Sequence, residues 1–150
     1  MLLIREARPT DVSTLMEFQT HMARETENIE LNQAILQRGI EALLADTGKG
    51  RYYVAEMDGQ PAGCLMTTYE WSDWRNGTVL WIQSVYVAKP YRGKGVYKSL
   101  YLHVQAMVEK QPDLRGIRLY VDKRNQAAQQ VYRQLGMDGE HYQVFEWMKP

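Results

Sequence analysis

The sequence predicts a mixed α/β domain built on one mostly antiparallel sheet flanked by helices, and three observations carry that prediction. Strand-like and helix-like stretches alternate in the order β-α-α-β-β-β-α-β-α-β. Asp58-Gly59, a two-residue hairpin signal, sits between two β-prone runs. Residues 78–87 are apolar on both alternating faces, the mark of a central strand covered on both sides. At 150 residues the chain is expected to form one domain spanning 1–150. A chain of this size buries roughly 68 to 70% of its unfolded surface, so it needs no disulfide or metal to be stable.

Residues 2–7 are a short apolar run ending at Pro9-Thr10-Asp11, where Thr10 or Asp11 is placed to cap a helix carrying Val12, Leu15, Phe18 and Met22. A second helix follows from Asn32, with Leu36, Ile40, Leu43 and Leu44 recurring until Gly48 and Gly50, and the link between the two, residues 25–30, is acidic. Residues 52–57 and 64–69 pair around the hairpin turn. Beyond the central strand, Val96, Leu100, Val104 and Val108 mark the apolar stripe of a helix that Pro112 ends. Residues 117–121 read as a buried strand. Asn125 then caps a helix bearing Ala128, Val131, Tyr132 and Leu135, closed by Gly136, and residues 142–148 complete the sheet.

Composition excludes several classes of function. Eighteen basic residues balance eighteen acidic ones, so there is no global positive charge for a nucleic-acid backbone, and no nucleic-acid partner is expected. The single Cys64 excludes an internal disulfide and fits a reducing compartment, so a cytoplasmic location is expected. The apolar run at the N-terminus is too short for a signal-peptide core, and no stretch approaches the roughly 20 apolar residues of a membrane span. His21, His103 and His141 are scattered, and with one cysteine they offer no metal spacing.

The chemistry concentrates in Val85-Tyr86-Val87-Ala88-Lys89-Pro90-Tyr91-Arg92-Gly93-Lys94-Gly95-Val96-Tyr97-Lys98, where the central strand passes through two glycines into a helix N-terminus. First-turn N–H groups lack intrahelical partners and the helix dipole adds positive potential, so the main chain there can hold an anion. Lys89, Arg92, Lys94 and Lys98 add four cations within ten residues, which suits a multiply anionic ligand. A P-loop is disfavoured because no glycine precedes Lys98-Ser99 at the required spacing, and a dinucleotide fingerprint because Lys98 stands where its third glycine belongs.

Arg92 to Tyr97 resembles the acetyl-CoA-binding motif of the GNAT superfamily of N-acetyltransferases, Q/R-x-x-G-x-G/A, with Tyr97 in the last position. A first helical turn does not require glycine, and the Tyr97 N–H can still donate. A second superfamily pattern, Asn-x-x-Ala-x-x-x-Tyr-x-x-x-Gly, is matched by Asn125, Ala128, Tyr132 and Gly136. Residues 23–27 (Ala-Arg-Glu-Thr-Glu) and 69–77 (Tyr-Glu-Trp-Ser-Asp-Trp-Arg-Asn-Gly) are similar to segments of a bacterial branch. The resemblance implies acetyl-CoA as cosubstrate and direct acetyl transfer, in a ternary complex, to a primary amine on a small molecule or peptide. It also implies that the backbone of Val85 and Val87 hydrogen-bonds the pantetheine, and that a main-chain N–H polarises the thioester carbonyl. Tyr132 would protonate the departing thiolate.

The amine must lose a proton before attack, and several carboxylates are candidates to receive it. Glu70 and Asp73 flank Trp71 and Trp74, while Glu25, Glu27 and Glu30 lie in the acidic link. Some family members carry a glutamate inside the central strand, where this chain has Trp81 and Gln83, so Glu70 is the favoured base. Glu25 and Glu27, at i, i+2 spacing, share no helical face and meet at one site only if the link is irregular. Trp71 and Trp74 either form a wall that attracts a cationic acceptor or serve packing in the chain or a homodimer. A non-catalytic acyl-CoA-binding or sensing domain is the alternative, and it would have no need of Tyr132 or the carboxylates.

Overall fold

The computed structural model describes residues 1–150, which divide into two compact units, Met1–Arg118 and Leu119–Pro150. The first unit holds five strands, β1 (Leu2–Glu6), β2 (Arg51–Met57), β3 (Gln60–Ser72), β4 (Gly77–Val87) and β5 (Leu114–Arg118), in spatial order β1-β2-β3-β4-β5. Neighbours are antiparallel except β4 and β5, which run parallel. Helices α1 (Val12–Glu27) and α2 (Gln33–Ala45) join β1 to β2, and α3 (Val96–Lys110) makes the crossover from β4 to β5. The expected mixed α/β class is therefore present.

Strand alternation assigns the helices to opposite faces of the sheet. Tyr52 and Val54 pack with Leu15 and Phe18 of α1 and Ile40 and Leu43 of α2. Tyr53 points the other way, with its ring 5.3 Å from His103 of α3 and its hydroxyl donating to Met107 Sδ at 3.4 Å. The hairpin between β2 and β3 turns where expected, with both Asp58 (φ 50°) and Gly59 (φ 81°) left-handed.

Several boundaries differ from the sequence reading. Glu25 and Glu27 belong to the last turn of α1, not to an irregular link. Residues 23–27 are mostly good helix formers, and the helix continues until Asn28 caps it in the left-handed conformation, φ 53°. Strand β5 begins at Leu114 and ends at Arg118, because the ladder that defines it runs beside Thr78–Trp81 of β4. In the second unit, α4 (Gln126–Gln134) is capped as expected, Asn125 accepting the Ala128 N–H at 3.0 Å, and Gly136 follows at φ 88°. Residues 142–148 form no strand. Their aromatic and β-branched content gives propensity only, and a strand exists only where its backbone finds a ladder partner. No helix is long and apolar enough to cross a membrane.

Asp11 fastens the start of α1 to β1. Its carboxylate accepts two bonds from Arg5, at 2.8 and 2.9 Å, and one from the Arg8 N–H at 2.7 Å. Arg5 also pairs with Glu56 on the neighbouring strand β2. The Arg5 guanidinium holds the buried Asp11 carboxyl below its ordinary 3.8. Its contribution is therefore complete above that value and lost as pH falls through the depressed pKa. Asp11→Asn should lower stability near neutrality by about 2 kcal/mol. Urea unfolding should show wild type and variant converging in acid.

Candidate functional site

β4 is paired on one edge along most of its length and on the other along only part of it. Its antiparallel partner β3 follows it from Gly77 to Val87, whereas β5 accompanies it only over Thr78–Trp81. From Ile82 to Val87 the β5 side of β4 has no strand beside it. Within this stretch Gln83 pairs with Met66 and Tyr86 with Cys64, so Ser84 and Val85 together face Leu65. This is a bulge, and Ser84 takes φ 56° in it. For a residue other than glycine that conformation costs about 1–2 kcal/mol.

Beyond Val87 the chain makes a 3-10 turn (Lys89–Tyr91) and reaches α3 through Gly93 (φ 75°) and Gly95 (φ 79°). Gly95 is the N-cap of α3, and no side chain caps the first-turn N–H groups. A Cβ built on either glycine would meet nothing within 4 Å. Glycine is therefore required here by backbone conformation, and the space above the turn is open to a ligand. Lys94 and Lys98 are exposed beside it.

Arg92 is tied back to the scaffold. Its Nε donates to the Val87 carbonyl at 2.8 Å, its Nη2 donates to Glu25 at 2.8 Å, and its guanidinium lies 5.4 Å from the Tyr86 ring centroid. Glu25 also pairs with Lys89 at 3.7 Å and accepts the Tyr86 hydroxyl at 3.3 Å. The Arg92 guanidinium holds the Glu25 carboxyl below the usual carboxylate range, and burial pushes the Tyr86 hydroxyl up. A cleft of about 590 Å³ opens here, lined among others by Phe18, His21, Glu25, Tyr86, Ala88 and Tyr91. Glu25 thus faces the loop from α1, while Glu27 is exposed two residues further on, as helical geometry requires.

The other acidic candidates stand apart from the loop. Glu70 is on β3 opposite Val79, roughly 26 Å of strand from Val87 at about 3.3 Å per residue. One of its oxygens accepts Trp81 Nε1 at 2.8 Å and the other pairs with Arg118. These partners, Arg118 foremost, hold the Glu70 carboxyl below its ordinary 4.5. Asp73 accepts the Trp74 N–H in the β3–β4 turn, and the Trp71 and Trp74 side chains are exposed. Glu30 pairs with Arg24 at the surface. In the second unit Ala128 and Tyr132 are half-buried on α4. The sequence reading had no signal for Gln19, whose buried amide reaches the Ser84 carbonyl across 65 residues.

The Acetyltransferase (GNAT) family model matches residues 12–137, a span that includes the loop, α3 and α4. The chain belongs to the GNAT acetyltransferase family. The domain of this family uses acetyl-CoA. Among solved structures, this GNAT chain is similar to a possible acetyltransferase from Clostridium difficile 630, with 42% identity, TM-score 0.92, and coverage of 100% of this chain and 99% of the other. A predicted acetyltransferase with acetyl-CoA from Clostridium acetobutylicum shares the fold at 20% identity, TM-score 0.76, covering 97% and 96%. So does an aminoglycoside N-acetyltransferase in complex with CoA, at 16% identity, TM-score 0.81, covering 100% and 96%. A comparison with curated proteins finds no match.

Because Arg118 is the main cause of the depressed Glu70 pKa, Arg118→Met should return that carboxyl toward 4.5. An NMR pH titration of the Glu70 side-chain carbonyl checks this, and an unchanged midpoint would assign the depression to Trp81 and Arg75 instead.

Proposed function

We propose that this acetyltransferase moves the acetyl group of acetyl-CoA directly to a primary amine, on a small molecule or peptide, with both substrates bound. The observation that supports this most is the continuity of the half-paired strand β4 with the twin-glycine turn and the uncapped start of α3. Main-chain donors along that path suit the two parts of CoA differently. The N–H groups of Val96, Tyr97 and Lys98 suit its pyrophosphate, with the exposed Lys94 and Lys98 supplying charge and Arg92, paired with Glu25, holding the loop. The backbone of Val85 and Val87, on either side of Tyr86, suits its extended pantetheine arm, which would add as a strand. Glycine at 93 and 95 fits the close approach, since a side chain there would occupy the open space.

When bound, acetyl-CoA supplies an activated acyl group on a thiol leaving group. This chain has three tasks: to polarise the carbonyl through a β4 N–H, to receive the proton of the amine, and to return a proton to the thiolate. Glu70 is the proposed proton acceptor. With Trp81 and Arg118 keeping it ionised it is present as carboxylate across neutral pH but is a weak base, so the amine has to arrive close to neutrality. The alkaline rise of kcat/KM then follows the pKa of the amine rather than that of Glu70. Glu25, engaged with Arg92, orders the loop in this reading, while Glu27, Trp71 and Asp73 remain candidate contacts for a cationic acceptor. Tyr132, at its motif position on α4 with Asn125 and Ala128, is the proposed acid. A cytoplasmic location, supported by the buried free Cys64, and a homodimer using the exposed tryptophans belong to the same proposal.

The deciding experiment is thiol release from acetyl-CoA across a panel of amines. Amine-dependent release supports the transfer reading, and CoA binding without release from any amine supports a sensing domain instead. Within that assay Gly95→Val should weaken CoA binding by calorimetry while the protein stays folded, because it forces a β-branched residue to φ 79° inside the anion turn. Tyr132→Phe should lower kcat by about 10- to 10³-fold with little change in CoA affinity. That defect should shrink with an acyl donor whose thiol has a lower pKa.

A further inference from the structure

Gln19 is the polar exception on the buried face of α1. Its neighbours on that face, Leu15 and Phe18, are apolar, and an amide buried among them is costly unless its hydrogen bonds are made. They are made to one place. The Gln19 amide donates to the Ser84 carbonyl at 3.0 Å and lies 3.5 Å from Cys64 Sγ. The Cys64 thiol donates to the same carbonyl at 3.4 Å and accepts the N–H of Tyr86. Burial pushes that thiol up to about 12, so it stays a neutral donor. Burial on β2 pushes the Tyr52 hydroxyl up, and the Ser84 side chain works against that shift. Side chains from α1, β2 and β3 therefore converge on one residue of β4, the one held in the left-handed conformation at the bulge.

The bulge decides which backbone groups face the open edge of β4. Residues along a strand present their N–H and C=O groups alternately to either edge, so one extra residue reverses the assignment for everything after it. Val85, Tyr86 and Val87 all lie after Ser84 and before the anion turn. We infer that Gln19, with Tyr52, is a positioning residue for acetyl transfer: by clamping Ser84 it fixes the bulge that aims the 85–87 backbone at the acyl donor. Neither side chain touches the reacting atoms. The inference rests on the acetyl-transfer reading for its kinetic consequence, but the clamp itself is a property of the fold.

Gln19→Met keeps the volume of the side chain and removes the donor, and Tyr52→Phe keeps the ring and removes the hydroxyl. Each should lower kcat with acetyl-CoA for every amine that wild type accepts, by about 10- to 100-fold for Gln19→Met, with KM for the amine nearly unchanged. Leu15→Val, a core change on the same helix, serves as the control that lowers Tm without that kinetic effect. A second readout needs no activity: amide hydrogen exchange at Tyr86 should speed up by about tenfold or more in Gln19→Met and stay near wild type in Leu15→Val. Wild-type kcat and unchanged Tyr86 exchange in folded Gln19→Met and Tyr52→Phe would overturn the proposal and leave both residues as core polar groups. Should Gln19→Met fail to fold, Tyr52→Phe alone decides between the two. If wild-type protein released no thiol with any amine, the transfer reading would fall while the exchange measurement still judged the clamp.

Discussion

β4 cannot be fully paired on both of its edges, and the architecture follows from that constraint. The chain leaves β4 at Val87, crosses through α3 and returns as β5 parallel to it, a connection that an antiparallel hairpin would not need. Parallel pairing is then confined to Thr78–Trp81. An interior strand with half of one edge unmatched is costly, since backbone donors and acceptors away from water demand partners. The same unmatched groups are what an extended, amide-containing ligand can satisfy. The gap in the ladder and the turn at its end are consecutive along the chain, so one strand presents an open edge and then a helix start that no side chain caps.

Charge is arranged around that path with the same economy. A neutral chain places Lys89, Arg92, Lys94 and Lys98 within ten residues, and four like charges so close would repel one another unless some were compensated. Glu25 compensates two of them from α1, through Arg92 and Lys89, while Lys94 and Lys98 stay exposed. The Glu25–Arg92 pair is partly solvated and contributes little to global stability. Its effect is on conformation: with Nε on the Val87 carbonyl and Nη2 on Glu25, Arg92 links the end of β4 to the end of α1, and the approach to Gly93 is held at both ends.

How much of this was legible in the sequence depended on whether the determinant was local. Asp58-Gly59 specifies its own turn, Asn125 its own cap, and Gly93-x-Gly95 its own left-handed bends, so each was readable in place. The end of α1 is harder to read, because acidic residues look like a solvated link until Asn28 is recognised as a left-handed cap. Residues 142–148 carry strand composition without a ladder, and composition does not reveal a missing partner. Gln19 and Ser84 were unreadable for the opposite reason. Their bond spans 65 residues, and neither a glutamine in a helix nor a serine in a strand departs from ordinary usage. In the sequence Glu70 stands beside Trp71, but its partners Trp81 and Arg118 come from two other strands, which no local pattern reveals.

The division between what was legible and what was not matches a division in how the two substrates are recognised in the proposed reaction. A donor held by main-chain N–H and C=O groups needs only the strand, the bulge and the glycine turn. These depend on backbone path more than on side-chain identity, and structures sharing only 16 to 20% identity with this chain retain the fold. The acceptor has no such backbone signature. On the sheet face shared with Tyr52, the side chains beyond the helices are Thr68, Glu70, Trp81 and Gln83, already engaged with one another through Gln83 to Thr68 and Trp81 to Glu70. An amine entering there would meet a polar network whose members are satisfied, so its selection would turn on which of these bonds it replaces. In the proposed reaction, specificity of that kind would rest on side-chain pairs across β3, β4 and β5, which substitutions can change without altering the main-chain path of β4.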